Sequence, residues 1–417
     1  MSVSKPDGPV VVVDPYSSGA LLAPQFAARG VPVVAVLSTS QPPEVFASSY
    51  SANDFARTIR SDGELEPVVR QVAELRPRCV LAGCDLGVPL ADALATQVTP
   101  DVANVPGLSM ARWHKGAMAA AAARAGQPVM EQICTSSPAD VEAWLVDRGL
   151  VGRDLVVKPA NSSGTDSVTR VPAGAPWRPV FDLLLGSVNQ HDLVNDEVLV
   201  QEYLTGTEYV VDTVSVDGRH TVASAGRYRK VDNGPHMAVY ESMEWLSPDC
   251  PEVPGLISYT AGILDAIGLR HGAAHCEIML TADGWRVVEV GARMHGGKHS
   301  LFCRQANGDS QLDRIVALHS TSRVQPESGF RLRRPTTLAF LLARAAGTVH
   351  GVGELGRLRE LPSFVDLAVG VADGDRVTLS RDLTNLLGYV VLSHPDPARL
   401  ATDLAVVREV ETRLVRE

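Results

Sequence analysis

The chain has 417 residues, 45% hydrophobic and 21% charged, a usage that excludes collagen, coiled coil and intrinsic disorder. At roughly 150 residues per domain, this length predicts two to three packed units. A formal net charge of -10 argues against a nonspecific grip on nucleic-acid phosphates and for a small-molecule partner.

The run Val10 to Val13 stops at Asp14-Pro15 and has no basic region before it, so it reads as a strand rather than a signal-peptide core. With the loop to Gly19, an apolar-periodic stretch to Arg29 and the run Val31 to Leu37, it predicts a βαβ unit. A buried-strand pattern returns at Cys79 to Ala82, followed by Gly83-Cys-Asp-Leu-Gly87 and an amphipathic stretch. Residues 1–108 are therefore expected to form a parallel, Rossmann-like α/β domain whose post-strand loops face a ligand crevice. An alanine-rich helix is expected from Ser109 to Ala125, ending at Gly126-Gln-Pro128. Leu155 to Lys158, Val198 to Tyr203, Tyr209 to Val216, His220 to Ala225, Ala274 to Leu280 and Trp285 to Val290 read as strands of a mostly antiparallel α+β region. A helix from Pro397 to Val415 closes the chain. No segment approaches the ~18 apolar residues of a membrane helix, and a cytoplasmic protein is expected.

Six scattered cysteines lack C-x-x-C spacing, which predicts buried thiols rather than zinc or disulfides. Gly351-Val-Gly-Glu-Leu-Gly356 matches G-x-G-x-x-G, but Pro362 denies it the long helix a dinucleotide site needs. His295 and His299 flank Gly296-Gly297, which disfavours a helical face presenting both to zinc.

The sharpest inference concerns two glutamates. A three-residue loop Ala282-Asp283-Gly284, with glycine in the left-handed position, pairs Glu277 directly with Glu289. Alternation then puts His275, Glu277, Met279, Val287, Glu289, Gly291 and Arg293 on one face, and Cys276, Ile278, Leu280, Val288 and Val290 on the core face. Facing carboxylates are destabilising unless a cation lies between them, and magnesium suits oxygen ligands; solvated surface carboxylates are the alternative. Lys158 is one of only five lysines and precedes a flexible loop, Pro159 to Val168, rich in hydroxyl side chains and backbone donors that can fold over phosphates. The lysine precedes the glycine, so this is not a P-loop.

In order along the chain, Lys115, Val157-Lys158 with the Asn161 to Val168 loop, Gln201-Glu202-Tyr-Leu-Thr-Gly-Thr-Glu208, and Glu277 with Glu289-Val-Gly-Ala-Arg293 resemble the ATP-grasp superfamily. The segment Ala82 to Asp92 and Asn104 resemble the N-terminal domain of bacilysin-type L-amino acid ligases and their biotin-carboxylase-like relatives. That resemblance implies a linker helix and small ATP-grasp lobe over 109–200, a large lobe with the metal site over 201–325, and a small α+β subdomain over 326–417. It implies that Lys115, Lys158, Ser162, Ser163, Gly164 and Thr165 contact ATP phosphates, that Glu202, Tyr203 and Leu204 line the adenine hinge, and that Glu208 accepts from ribose. Glu277 and Glu289 match the carboxylates that hold Mg2+, two ions that Mn2+ can replace, and Arg293 is the catalytic arginine beside Lys158. His275, Gly296, Gly297, Lys298 and Asp85 are candidates for substrate contact, and Arg227, Arg229 and Lys230 for the triphosphate. Many relatives carry a metal-ligating Asn two residues after the second glutamate, where this chain has Gly291.

The implied activity is an ADP-forming carboxylate–amine ligase that makes a dipeptide or γ-glutamyl amide through an acyl phosphate. The implied partners are small carboxylates and amines, without nucleic acid or membrane, and a homodimer is allowed. A biotin-carboxylase-like or purine-pathway carboxylase and a noncatalytic ATP-binding module remain as alternatives.

Overall fold

The computed structural model describes residues 7–234, 236–320 and 329–416; the boundary expected at 325–326 lies outside them. Strands β1 (Val10–Val13), β2 (Val33–Leu37), β3 (Arg57–Arg60) and β4 (Cys79–Ala82) form a parallel sheet in the order β3-β2-β1-β4. Both faces are covered: Val10 and Val12 pack with Phe26 and Leu312, and Val11 and Val13 with Val68 and Leu94. Double burial is why an unbroken valine run rather than an alternating one encodes β1. Strand β3, Arg-Thr-Ile-Arg, buries only Ile59 and so carries no apolar signal in the sequence.

The helix expected from Ser109 is split into a 3-10 turn at Met110–Arg112 and a helix at Lys115–Arg124. His114 interrupts it as N-cap, its Nδ1 accepting from the Ala117 N–H at 3.2 Å, which sets Lys115 in the first turn. Arg112 is fully buried at the junction. It meets Asp92 Oδ2 at 2.8 Å and donates to the carbonyls of Val105 and Ile267, tying the N-terminal domain to the body that follows.

A second sheet, with every pairing antiparallel, joins β5 (Gln132–Thr135), β6 (Leu155–Pro159), β7 (Thr169–Val171) and β8 (Val198–Glu202) in the order β5-β8-β6-β7. The largest sheet comprises β9 (Thr207–Val216), β10 (Arg219–Asn233), β11 (His236–Trp245), β12 (Gly272–Thr281) and β13 (Gly284–Gly291), continued by β14 (Thr336–Leu341), β18 (Gly388–Ser393) and β16 (Phe364–Val369). Its order is β13-β12-β9-β10-β11-β14-β18-β16. Strand β10 runs past the Ala225 expected from sequence, because Gly226-Arg-Tyr-Arg-Lys lacks an aliphatic residue yet pairs with β11, with a register shift between Arg229 and Lys230. A small sheet joins β15 (Gly347–Val349), β17 (Arg376–Val377) and β19 (Val415–Arg416). The last helix therefore ends at Glu411 rather than Val415, which the pairing with β15 draws into a strand. Among the described residues no helix is long and apolar enough to cross a membrane.

Candidate active site

The second sheet and the largest one enclose an open cleft of about 870 Å³. Its wall includes Lys115, Lys158, Ser162, Ser163, Gly164, Thr165, Glu202, Tyr203, Leu204, Glu208, Glu277 and Glu289, residues drawn from a helix, two loops and five strands. Met130, Val156, Met237, Tyr240 and Met279 make its apolar lining, a composition suited to a flat ring with polar groups at one end.

Glu277 does pair with Glu289, by a different route from the one expected. The hairpin turns tightly, with Thr281 opposite Gly284, and a bulge between Glu277 and Ile278 restores the register. That bulge reverses two neighbours. Val287 enters the core, while Val288 lines the cleft, the opposite of what strict alternation gives. Cys276, Ile278 and Val290 are in the core as expected.

Each glutamate has its own cation. Lys115 Nζ lies 3.0 Å from Glu289 Oε1 and also donates to the Ser162 carbonyl, which anchors the phosphate-type loop. His275 Nε2 lies 3.5 Å from Glu277 Oε1, and its Nδ1 is 2.9 Å from Asp212. Burial favours the neutral ring, yet the two carboxylates raise its pKa to about 9. Burial likewise works to raise Glu277, and His275 brings it down to about 2. The like-charge penalty is thus met by protein cations, and repulsion alone does not demand a metal ion.

Lys158 is buried, and desolvation with Lys115 nearby lowers its pKa to about 8 against the pull of Glu289 and Glu277. Lys230 Nζ meets Glu208 Oε2 at 2.7 Å, while Glu208 Oε1 is buried with no partner among the described residues. The N–H groups of Glu202 and Tyr203 are committed to the Glu131 and Asp154 carbonyls, and the Glu202 carboxylate accepts from the Glu131 N–H. In the loop, Gly164, Thr165 and Ser167 all have φ between 55° and 66°, a left-handed run that turns the backbone sharply over the cleft. Of the basic run on β10 only Lys230 faces inward. Arg227 and Arg229 alternate to the outer face, where they pair with Glu244 and Glu241.

Arg293 lies off this wall, on a neighbouring cavity lined by Leu81, Asp92, His271 and Met294. Its Nε and Nη2 donate to Asp85 Oδ2 at 3.0 and 2.7 Å, and Nη1 to the Met294 carbonyl at 3.1 Å. Burial pushes the Asp85 carboxyl up, and the guanidinium more than reverses that, holding it below the usual range. A Cβ on Gly291 would lie 2.9 Å from both Arg293 Cζ and Asp85 Oδ1, so the position where relatives carry Asn is closed by this pair.

The sequence reading missed Asp212, the centre of a buried cluster. His275 and His295 donate to it at 2.9 and 3.3 Å, Ser224 Oγ at 2.8 Å, and His299 Nε2 lies 3.3 Å away. Burial opposes its charge, but the three imidazoles hold its pKa well below the carboxylate range. The glycines between His295 and His299 form a turn that stacks the rings 3.4 Å apart at 14°, so the residues meet without sharing a helical face. The rings surround one carboxylate in a hydrogen-bond network, and Asp212, His275 and His295 each bring a ligand atom within 4.8 Å of the other two, a spacing that could hold a metal ion. No motif announces Asp212, which alternates on β9 among valines. Gly296, Gly297 and Lys298 do not line the cleft: the Gly297 N–H donates to Ser17 Oγ at 2.8 Å, and Lys298 is exposed.

Comparison with known proteins agrees with this geometry. Residues 151–301 match the ATP-grasp domain, and residues 339–413 match the L-amino acid ligase C-terminal domain 2. Dapdiamide A synthase from Enterobacter agglomerans is 28% identical over 99% of this chain and 97% of its own. The chain thus carries an ATP-grasp domain and is related to the L-amino acid ligases. Its fold matches the L-amino acid ligase from Bacillus licheniformis with a TM-score of 0.72, at 17% identity over 98% of both chains. It also matches the ATP complex of carboxyaminoimidazole ribonucleotide synthase from Aspergillus clavatus, TM-score 0.70 and 14% identity over 98% of this chain and 99% of that one. At such identity these structures speak for the fold, so the carboxylase alternative has fold likeness alone.

Proposed function

We propose that this ligase condenses two amino acids, activating the carboxylate of one with ATP and joining it to the amine of the other. The observation that carries the reading is the convergence of Lys115, Lys158, Glu277 and Glu289 on one cleft, with the Arg293–Asp85 pair at its border with the N-terminal domain. The residues suit the nucleotide. Glu208 Oε1 is a buried acceptor without a donor, which a ribose hydroxyl supplies, and the apolar wall suits adenine.

The oxygen pair Glu277 and Glu289 suits magnesium, which is held by one or two carboxylates together with substrate phosphates. Bound there, the metal neutralises charge on the phosphate oxygens as a Lewis acid. Lys158 and Lys115 counter the triphosphate charge, and the loop from Ser162 to Thr165 covers it with backbone N–H groups and hydroxyls. The substrate carboxylate attacks the γ-phosphorus, ADP leaves, and the acyl phosphate is attacked by the amine with loss of phosphate. Arg293 keeps two of its five N–H protons for an oxyanion, since three are committed to Asp85 and Met294. Apolar walls and the covering loop exclude water that would hydrolyse the acyl phosphate.

Incubation of the purified protein with ATP, Mg2+ and pools of amino acids tests the reading by mass spectrometry. ADP with a product equal to two amino acids minus water supports it; AMP, or ADP formed only with bicarbonate, refutes it.

A further inference from the structure

Outside the nucleotide cleft, three side chains from separate elements meet. His114 caps the helix Lys115–Arg124, Cys134 lies on β5, and Glu197 immediately precedes β8, the strand paired with β5. His114 Nε2 lies 3.5 Å from Glu197 Oε2 and 3.9 Å from Cys134 Sγ, and Sγ lies 3.8 Å from the same carboxylate oxygen. Gly116 permits this approach: a Cβ there would stand 2.8 Å from Cys134 Cβ and 3.1 Å from His114 Cε1. Unlike the enclosed Asp212 cluster, this one is reachable from solvent, with the Glu197 side chain 45% exposed and Cys134 half-buried. His114 and Glu197 stand 20 and 63 positions from Cys134, so no sequence spacing announces them.

Imidazole, thiolate and carboxylate are the ligands of tetrahedral zinc, at roughly 2.0–2.1, 2.3 and 2.0–2.2 Å. At the tetrahedral angle such bonds set an N···O edge of roughly 3.4 Å and edges to sulfur of roughly 3.6 Å. The three observed separations follow that order and are slightly longer, as suits ligands that an ion draws together. A thiolate and a carboxylate also balance a divalent charge, and sulfur and nitrogen donors disfavour magnesium. A nucleophilic cysteine is the other reading of the cluster, and it needs a low thiol pKa. Burial and then Glu197 push this one up to about 12.

We propose that His114, Cys134 and Glu197 form a zinc-type site, taking Zn2+ or a similar borderline-soft ion through Nε2, Sγ and Oε2, with water or Asp196 at the fourth position. Asp196 is exposed beside Glu197, and its charge acts on both His114 and Cys134. Of the charges that act on the ring, Glu197 and Asp196 are negative and Lys115 positive. Binding sends the thiol proton to solvent. It also puts the ring proton on Nδ1, which then no longer accepts from the Ala117 N–H. Loss of that cap weakens binding by roughly fivefold, little beside what three ligands contribute.

The test titrates metal-free protein, held in excess Mg2+ so that oxygen-only sites are filled, with Co2+ and then Zn2+. One equivalent of Co2+ should give the sulfur-to-cobalt absorption of a thiolate complex, and Zn2+ should bleach it stoichiometrically. Cys134→Ser should abolish the band, whereas Cys250→Ser, at the other half-buried thiol, should leave it intact. Glu197→Gln and His114→Asn should each weaken Co2+ binding by at least about tenfold, since even a residue behind the ligands is worth that much. Asn is itself a good N-cap, so His114→Asn keeps the helix start, and the thermal midpoint of each variant checks its fold. No sulfur band at one equivalent, or a band whose midpoint either variant shifts by less than about tenfold, would overturn the site and leave Cys134 a lone thiol.

Discussion

Asp85 and Arg293, 208 residues apart in the chain, share two hydrogen bonds to a single carboxylate oxygen at the seam between the N-terminal domain and the largest sheet. Asp85 belongs to the loop after β4, and Arg293 to the segment just past β13. The carboxylate restricts the guanidinium to one orientation. Arg293→Ala should lower turnover roughly 10²–10³-fold, the scale for loss of an oxyanion donor, and Asp85→Asn should lower kcat by about tenfold while leaving nucleotide affinity unchanged. Gly291→Ala, whose new methyl would press on both partners, should behave like Asp85→Asn. Steady-state ADP release and nucleotide titration on the three variants check this, and unchanged kcat in Gly291→Ala would refute the positioning role.

The low pKa of Lys158 has a sign that can be worked out. Its ordinary value is 10.5 and its folded value is about 8, so burying the charge opposes folding below pH 8, and that cost fades between pH 8 and 10.5. Lys158→Met should therefore stabilise the nucleotide-free protein at pH 7, by up to roughly 3 kcal/mol, while abolishing ATP binding. In the wild type, nucleotide affinity should fall as pH rises past 8, and binding near that pH should take up protons. Denaturant melts, and calorimetry in buffers of different ionisation enthalpy, measure both effects.

Glu289→Ala removes a carboxylate from the cleft and leaves Lys115 without its partner at 3.0 Å. Turnover should fall by on the order of 10³-fold or more with the thermal midpoint little changed. Chelation of divalent ions should stop the wild-type reaction, and added Mg2+ or Mn2+ should restore it. Turnover that persists in excess chelator would refute the magnesium assignment.

The buried pair Arg112 and Asp92 is a structural prediction, independent of catalysis. Cutting Arg112 to Ala strands a buried carboxylate and leaves carbonyls of Val105 and Ile267 unmet, at a cost of roughly 3–5 kcal/mol. A urea midpoint shift of corresponding size is expected, whereas Arg112→Met, which fills the space without restoring the charge, should recover little. A loss below 1 kcal/mol, as for a surface pair, would contradict the clamp.

Several features were legible in the chain because they depend on local physics. Double burial wrote β1 and β4 as continuous apolar runs, and alternation with a turn identified the β12–β13 hairpin and its facing glutamates. The ATP-grasp resemblance rested on short segments whose spacing survives without any knowledge of contacts, and the residues it singled out for the nucleotide and the metal share one cleft.

Other features could not be read, for equally physical reasons. The bulge beside Glu277 lies in the β12–β13 pairing and leaves the register with β9 unbroken, and it sends Val288 rather than Val287 into the cleft. Asp212 and Cys134 sit in unremarkable local sequence. Each gains its neighbours only when the fold brings three imidazoles, or His114 and Glu197, against it. Arg227 and Arg229 looked equivalent to Lys230 until strand parity turned them outward. By itself, then, the sequence determined the strands written as apolar runs or clear alternation, such as β1, β4 and β12, and the inventory of groups that can hold a nucleotide, since these follow from neighbours a few residues apart. The tertiary structure alone decided which carboxylate meets which cation and which side chains gather around one another, because those contacts join residues tens to hundreds of positions apart and no local periodicity encodes them.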